Sequence, residues 1–315
     1  MSLDAFGWSG RWQAAFAPYA ARGLLAGRIV SEHRTHFDVV TETGEIIAEV
    51  PGRLWNSVVE RSDMPGVGDF VALGPSDGDG PAIIEAVLAR QSALIRQAAG
   101  ERRPQLIAAN VDVVLIVTAF DGDFNAERIA RYLAVVRDGG ALPVIVINKS
   151  DIAAANAGDM PALEGIAADV ALHIVSAHEP SDVEMLLQYF EAGRTVALVG
   201  SSGVGKSTLT NAFLGQELQA IRAVRARDNR GQHTTTHRQL FIRPGGGVIM
   251  DMPGMRSVEL WDAEMPPEDD FSAIEALAAN CKFRNCRHDG EPACAVRAAI
   301  DRGEIDAELL VRYQA

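Results

Sequence analysis

The chain has 315 residues, 48% of them hydrophobic, enough for two or three domains with a sizeable core. A net charge of -13 excludes a whole-molecule electrostatic clamp on nucleic acid, though not a local basic face. No apolar run approaches the roughly 18 residues of a membrane-spanning helix, and Met1-Ser-Leu-Asp-Ala-Phe-Gly-Trp8 carries no secretory pattern, so a cytoplasmic protein without a membrane partner is expected.

Residues 5–20 read as a short amphipathic lead-in helix. Leu24–Val30, Phe37–Thr41 and Glu45–Val50 are short, β-branched and partly alternating, with turn residues between them. Pro65–Leu73 is a turn running into a fourth strand, and Ala82–Leu88 supplies a fifth. Five short strands around a small barrel suggest an OB-like fold over residues 1–98, a frequent oligonucleotide platform. A generic small barrel without a ligand fits the same pattern.

Residues 99–262 alternate strands with helices. Val111–Thr118 is a continuous apolar strand, as a parallel sheet covered on both faces requires. A helix over 126–137, a strand over Leu142–Asn148, a strand over Leu172–Ser176, a helix near Asp182–Glu191 and a strand over Thr195–Val199 follow. That alternation predicts a doubly wound α/β domain, with Arg238–Arg243 and Gly247–Met250 as a hairpin inside it.

The strand over Thr195–Val199 enters Gly200-Ser201-Ser202-Gly203-Val204-Gly205-Lys206-Ser207-Thr208. Glycines let backbone amides turn toward phosphate oxygens, and the helix that starts near Gly205 adds its positive end. Lys206 can reach the β- and γ-phosphates, and the Ser207 hydroxyl can ligate Mg²⁺. The base is set by Asn148-Lys149-Ser150-Asp151, also at a strand end. A carboxylate accepts two hydrogen bonds from guanine; adenine lacks that donor pair and would leave the carboxylate unpaired. Ser176-Ala177 ends the neighbouring strand and resembles the auxiliary guanine-contact motif of GTPases. Asp251-Met-Pro-Gly254 places a carboxylate for Mg²⁺ through water and an amide for the γ-phosphate. Thr234-Thr235-Thr236 lies between Ser207 and Asp251, and Thr235 is the favoured metal-side threonine, with its neighbours as alternatives. Met255 cannot hold an attacking water, so unaided hydrolysis should be slow. His233 could orient that water, or be an exposed loop histidine. The guanine reader precedes the phosphate loop, so the domain is circularly permuted.

All three cysteines fall in the last section, residues 263–315. Cys281-x4-Cys286-x-His288-x5-Cys294 offers three thiolates and one imidazole, a closed tetrahedral set for one structural Zn²⁺. Such a short module has little core, so zinc should hold it folded. Basic residues cluster at Arg222, Arg225, Arg227, Arg230 and Arg238, and again at Lys282, Arg284 and Arg287. A solvated surface explains each run as well as an RNA contact does.

Taken together, the OB-like section, the permuted motif order, Gly231-Gln-His-Thr-Thr-Thr236 and the Cys3His tail resemble the RsgA/YjeQ-type family of small-subunit-dependent GTPases, over essentially the whole chain. The resemblance implies an OB barrel, an α/β permuted GTPase and a small helical zinc domain. It implies Mg²⁺-dependent hydrolysis of GTP to GDP, stimulated by the small (30S) ribosomal subunit, with its 16S rRNA as partner and late subunit maturation as the role. It also assigns the catalytic histidine to His233 and the switch threonine to Thr235, and a monomer is expected. The family often continues the Ser-Ala pair with a Gly-rich turn, where this chain has His178-Glu-Pro-Ser-Asp182. Competing readings are an RNA-binding module that uses GTP only as a clamp, and a phosphate-loop kinase, against which Asp151 argues.

Overall fold

The computed structural model describes residues 2–52, 61–75, 80–96, 104–120, 124–152, 160–215 and 238–251, together with 277–278, 281, 286, 288, 291, 294–302 and 310. It divides into two compact units, Met1–Ala263 and Glu264–Ala315.

The larger unit opens with a 3-10 turn, Leu3–Phe6, and helix α1, Gly10–Ala20. The predicted single helix over 5–20 is split because Gly7 takes a left-handed conformation (φ 87°), which ends the first turn. A five-stranded barrel follows: β1 Leu25–Glu32, β2 Phe37–Thr41, β3 Gly44–Glu49, β4 Phe70–Gly74 and β5 Ala82–Val87. The strands run β1-β2-β3-β5-β4, and β4 pairs back with β1 to close the ring. Strand β4 is buried on both faces. Val71 and Leu73 join the main core, whereas Phe70 and Ala72 lie in a second cluster with Leu3, Trp12 and Phe16. The Trp12 and Phe70 rings are 4.3 Å apart.

A ribbon, β6 Ala93–Arg96 with β7 Gln105–Ala109, leads out of the barrel. The α/β part then comprises β8 Val113–Ala119, α2 Ala126–Asp138, β9 Leu142–Asn148, α3 Met160–Ile166, β10 Ala171–Ile174, α4 Pro180–Leu186, β11 Thr195–Val199, helix α5 (206–215), β12 Gln239–Ile242 and β13 Val248–Asp251. Helix α2 shows how sequence sets such an element. Asn125 caps it by accepting from Arg128 N–H at 2.8 Å, and Ile129, Tyr132, Leu133 and Val136 form one buried stripe. Each of those side chains contributes about 1.5–3 kcal/mol by burial. Helix α4 starts earlier than the predicted 182, because Glu179 is extended and Pro180 is pre-set for the first helical turn.

The sheet order is β10-β9-β8-β11-β13-β12, and β12 continues into β1 through the pair Ser31–Gln239. The first five strands are parallel; β12 and β13 form the predicted antiparallel hairpin. Every residue of β8 and β11 is buried. Among the described residues no helix is long and apolar enough to cross a membrane.

Barrel and sheet are bolted together by Arg28, which is 1% exposed. Its guanidinium donates from Nε to Gly68 O (3.2 Å), from Nη1 to Phe6 O, and from Nη2 to Asn110 O (3.2 Å) and Thr195 Oγ1 (2.9 Å). It also lies 4.8 Å over the Phe70 ring. Burial pulls its pKa to about 10 against the opposing fields of Asp112 and Asp69, so it stays charged at neutral pH. Arg28→Ala strips one donor from several buried acceptors at once. The expected cost is roughly 3–5 kcal/mol of stability, read as a fall in the urea midpoint, with Arg28→Lys recovering less than half.

Candidate nucleotide site and metal cluster

In an open parallel sheet, ligands bind outside the carboxyl ends of the strands. Four of the sequence motifs sit there. Asn148 ends β9, Ser176-Ala177 follows β10, Gly200 follows β11 and Asp251 ends β13. Lys206, Ser207 and Thr208 form the first turn of α5, whose start is fixed by Leu209 N–H donating to Gly205 O at 3.0 Å.

Asn148 holds three of these loops together. Its side chain, 2% exposed, donates from Nδ2 to Val204 O at 2.8 Å and accepts at Oδ1 from Ala177 N–H at 3.0 Å. The phosphate loop and the Ser176-Ala177 loop are therefore both tied to the end of β9. Glycine identity in the phosphate loop follows from close approach. A Cβ on Gly205 would meet Asn148 Nδ2 at 2.1 Å, and one on Gly200 would meet Val117 O at 2.0 Å; both residues have positive φ. Lys149 also takes a left-handed conformation, with φ 66°, a cost that concentrates at functional sites. The chain turns there, so that Ser150 and Asp151 are exposed beyond the strand end. A hydrogen bond from the Ser176 side chain is the main cause holding the Asp151 carboxyl below its usual range. Asp151 is thus an ionised acceptor at neutral pH, as recognition of guanine N–H groups requires.

Asp182 is a residue that the sequence reading missed. Its Oδ2 accepts from Ser176 N–H at 2.7 Å and fixes the loop that follows β10. The signal was the departure from a Gly-rich turn: Asp182 lies in the first turn of α4 and reaches back, taking over the work of a tight turn.

Lys206 Nζ donates to Gly200 O at 2.6 Å and Ser201 O at 2.5 Å. Ser202 and Gly203 are exposed at the loop's crest, with Val204 buried beneath. The Ser207 hydroxyl is exposed at the start of α5 and the half-buried Asp251 ends β13; a hydroxyl and a carboxylate are the kind of oxygen donors that a hard divalent ion takes. His233, Thr235 and Gly254 lie outside the described residues, as do the arginines from 222 to 230.

In the smaller unit, ligand atoms of Cys281, Cys286, His288 and Cys294 all lie within 4.8 Å of one another. Cys281 Sγ is 3.9 Å from Cys294 Sγ and 3.7 Å from His288 Nδ1, and His288 Nδ1 is 3.4 Å from Cys294 Sγ. Tetrahedral zinc with bonds of about 2.0–2.3 Å spaces its ligands about 3.5–3.8 Å apart, so the set fits. Cys294 caps helix α6, Ala295–Asp301, and Ala295 N–H donates to Cys281 Sγ at 3.3 Å. Amide donors of this kind stabilise thiolates. Val296, Ala299 and Leu310 pack beside Cys294 as a small core.

A family model described as RsgA GTPase matches residues 87–261. The chain is 41% identical over 292 residues to small ribosomal subunit biogenesis GTPase RsgA 2 of Lactiplantibacillus plantarum, covering 93% of this chain and 82% of that protein. It is 40% identical over 324 residues to small ribosomal subunit biogenesis GTPase RsgA of Opitutus terrae, covering 100% and 88%. The crystal structure of YjeQ from Thermotoga maritima aligns with a TM-score of 0.51 at 27% identity, over 92% of this chain and 97% of that one. YloQ, described as a circularly permuted GTPase, shares the fold with a TM-score of 0.50 over 92% and 94% of the two chains, at 23% identity.

Burial lowers the Lys206 pKa to about 8. A polyphosphate in the loop favours the ammonium and raises that value, so binding takes up a proton only where free Lys206 is deprotonated. Uptake should therefore be small at pH 7 and rise as pH passes through about 8, with affinity falling over the same range. Calorimetry in two buffers of different ionisation enthalpy counts it.

Proposed function

The chain belongs to the RsgA GTPase family, and on that premise we propose that it hydrolyses GTP during maturation of the small ribosomal subunit, which stimulates its turnover. The observation that carries the GTP reading is the Asn148 side chain, which ties the phosphate loop to the base-side loop at the carboxyl edge of the sheet. In this reading Asp151 selects guanine, with Lys149 and Ser150 completing its loop and Ser176-Ala177 contributing from β10. The amides of Gly200–Gly205 and the Lys206 ammonium cradle the phosphates, with Ser207 and Thr208 at the helix start. Gly254 offers its amide to the γ-phosphate, and His233 orients the attacking water. Mg²⁺ is held by Ser207 and Thr235, and by Asp251 through water; it supplies neutralisation of charge on the phosphates.

The barrel is the candidate 16S rRNA platform, and the protein acts in the cytoplasm as a monomer. Zinc on Cys281, Cys286, His288 and Cys294 is structural, since four protein donors leave no open position. The GTP-clamp alternative differs only in turnover, and so the same assay separates them.

Multiple-turnover phosphate release should rise at least tenfold on adding purified small subunits. His233→Ala should lose about a hundredfold of the stimulated rate with GTP binding unchanged. Turnover that small subunits leave unchanged would favour the clamp. Metal analysis should find one zinc per chain in gently purified protein. Chelation or Cys286→Ser should unfold residues 264–315 while guanine-nucleotide binding by the larger unit persists.

A further inference from the structure

We infer that His33, His36 and Asp38 form a second metal site, on the β1–β2 hairpin of the barrel, suited to a borderline divalent ion such as Zn²⁺. Strand geometry brings the three together. His33 N–H donates to His36 O at 2.8 Å and closes a two-residue turn at Arg34-Thr35. The adjoining register pairs Glu32 with Phe37, so His33 stands directly across from His36. Side chains alternate along a strand, which puts Asp38 on the same face as His36. Ligand atoms of all three residues lie within 4.8 Å of one another. The imidazole rings stack with centroids 4.4 Å apart, and His33 Nε2 is 2.7 Å from Asp38 Oδ2.

The donor chemistry chooses the ion. Two imidazoles with one carboxylate favour Zn²⁺, Ni²⁺ or Cu²⁺ over Mg²⁺ or Ca²⁺, which prefer oxygen alone. Coordination exchanges the His33–Asp38 hydrogen bond for two bonds to a shared ion, opening that spacing to roughly 3.3 Å. Both rings must also turn out of their stack, and the three residues are only half-buried, so each has room to rotate. The strands beneath stay in place because β1 is paired with β2 as far as Glu32–Phe37 and, on its other side, with β12 at Ser31. Three protein donors leave a coordination position open for water or another oxygen ligand, unlike the closed Cys3His set. An ion here would place positive charge at the tip of a barrel hairpin in a chain of net charge -13. None of this depends on the nucleotide reading.

The test uses full-length protein with the Cys3His cluster already zinc-loaded, titrated with Zn²⁺ by calorimetry. One further equivalent should bind in wild type and weaken at least tenfold in His36→Gln and in Asp38→Asn. The cysteine-linked zinc and the urea midpoint should be unchanged in both variants. Cu²⁺ added to the same protein should show two coordinated nitrogens by electron paramagnetic resonance, and one in His36→Gln. No equivalent beyond the cysteine-bound zinc, or a second equivalent indifferent to both substitutions, would overturn the site and leave a hydrogen-bonded hairpin.

Discussion

Arg28 sits where four separately encoded pieces of chain meet: the lead-in turn at Phe6, the barrel, the Asn110 corner before β8, and the first residue of β11. A charge buried this deeply persists only if its donors are satisfied, and here backbone carbonyls and the Thr195 hydroxyl do so. The arrangement fixes the root of the strand whose other end becomes the phosphate loop. Asp112 reinforces it by accepting from Thr195 N–H at 2.7 Å. The barrel is therefore not tethered as a bead on a linker. It shares one extended sheet with the nucleotide site through Ser31 and Gln239, and one buried cation with the base of that sheet.

What was legible in the sequence was local. Continuous apolar runs such as Val113–Ala119 announce strands covered on both sides, and the phosphate loop, Asn148–Asp151 and the cysteine spacing each lie within a few residues. What was not legible is what holds those pieces in register. Arg28 reads as an ordinary basic residue in an alternating strand; only closure of the barrel onto β11 shows its four directions. Asp182 reads as a helix-start acid, and its bond to Ser176 N–H follows only from the turn the chain makes there. His33 and Asp38 are unremarkable until a two-residue turn folds them onto one face. Element ends moved by a few residues where glycine or proline conformation overrode the apolar pattern, as at Gly7 and Pro180.

The two units reach order by different means. The larger has a core running from Ile29 and Val39 in the barrel to Ile145 and Ile147 in the sheet. In the smaller, the described residues show an apolar cluster around Cys294 beside the four grouped donors Cys281, Cys286, His288 and Cys294.

The bond from Asn148 to Val204 spans 56 residues, and in this permuted order the acceptor is made second. During synthesis β8, β9 and β10 can pair as soon as they emerge, yet the loop that Asn148 opens then lacks the carbonyl that steadies it. The open edge of β8 also waits for β11, and β1 of the barrel waits for β12. Nucleotide affinity should therefore appear late and abruptly in the life of a nascent chain. A copy that stops short of Gly200 has neither the glycine loop nor the Val204 carbonyl that Asn148 holds.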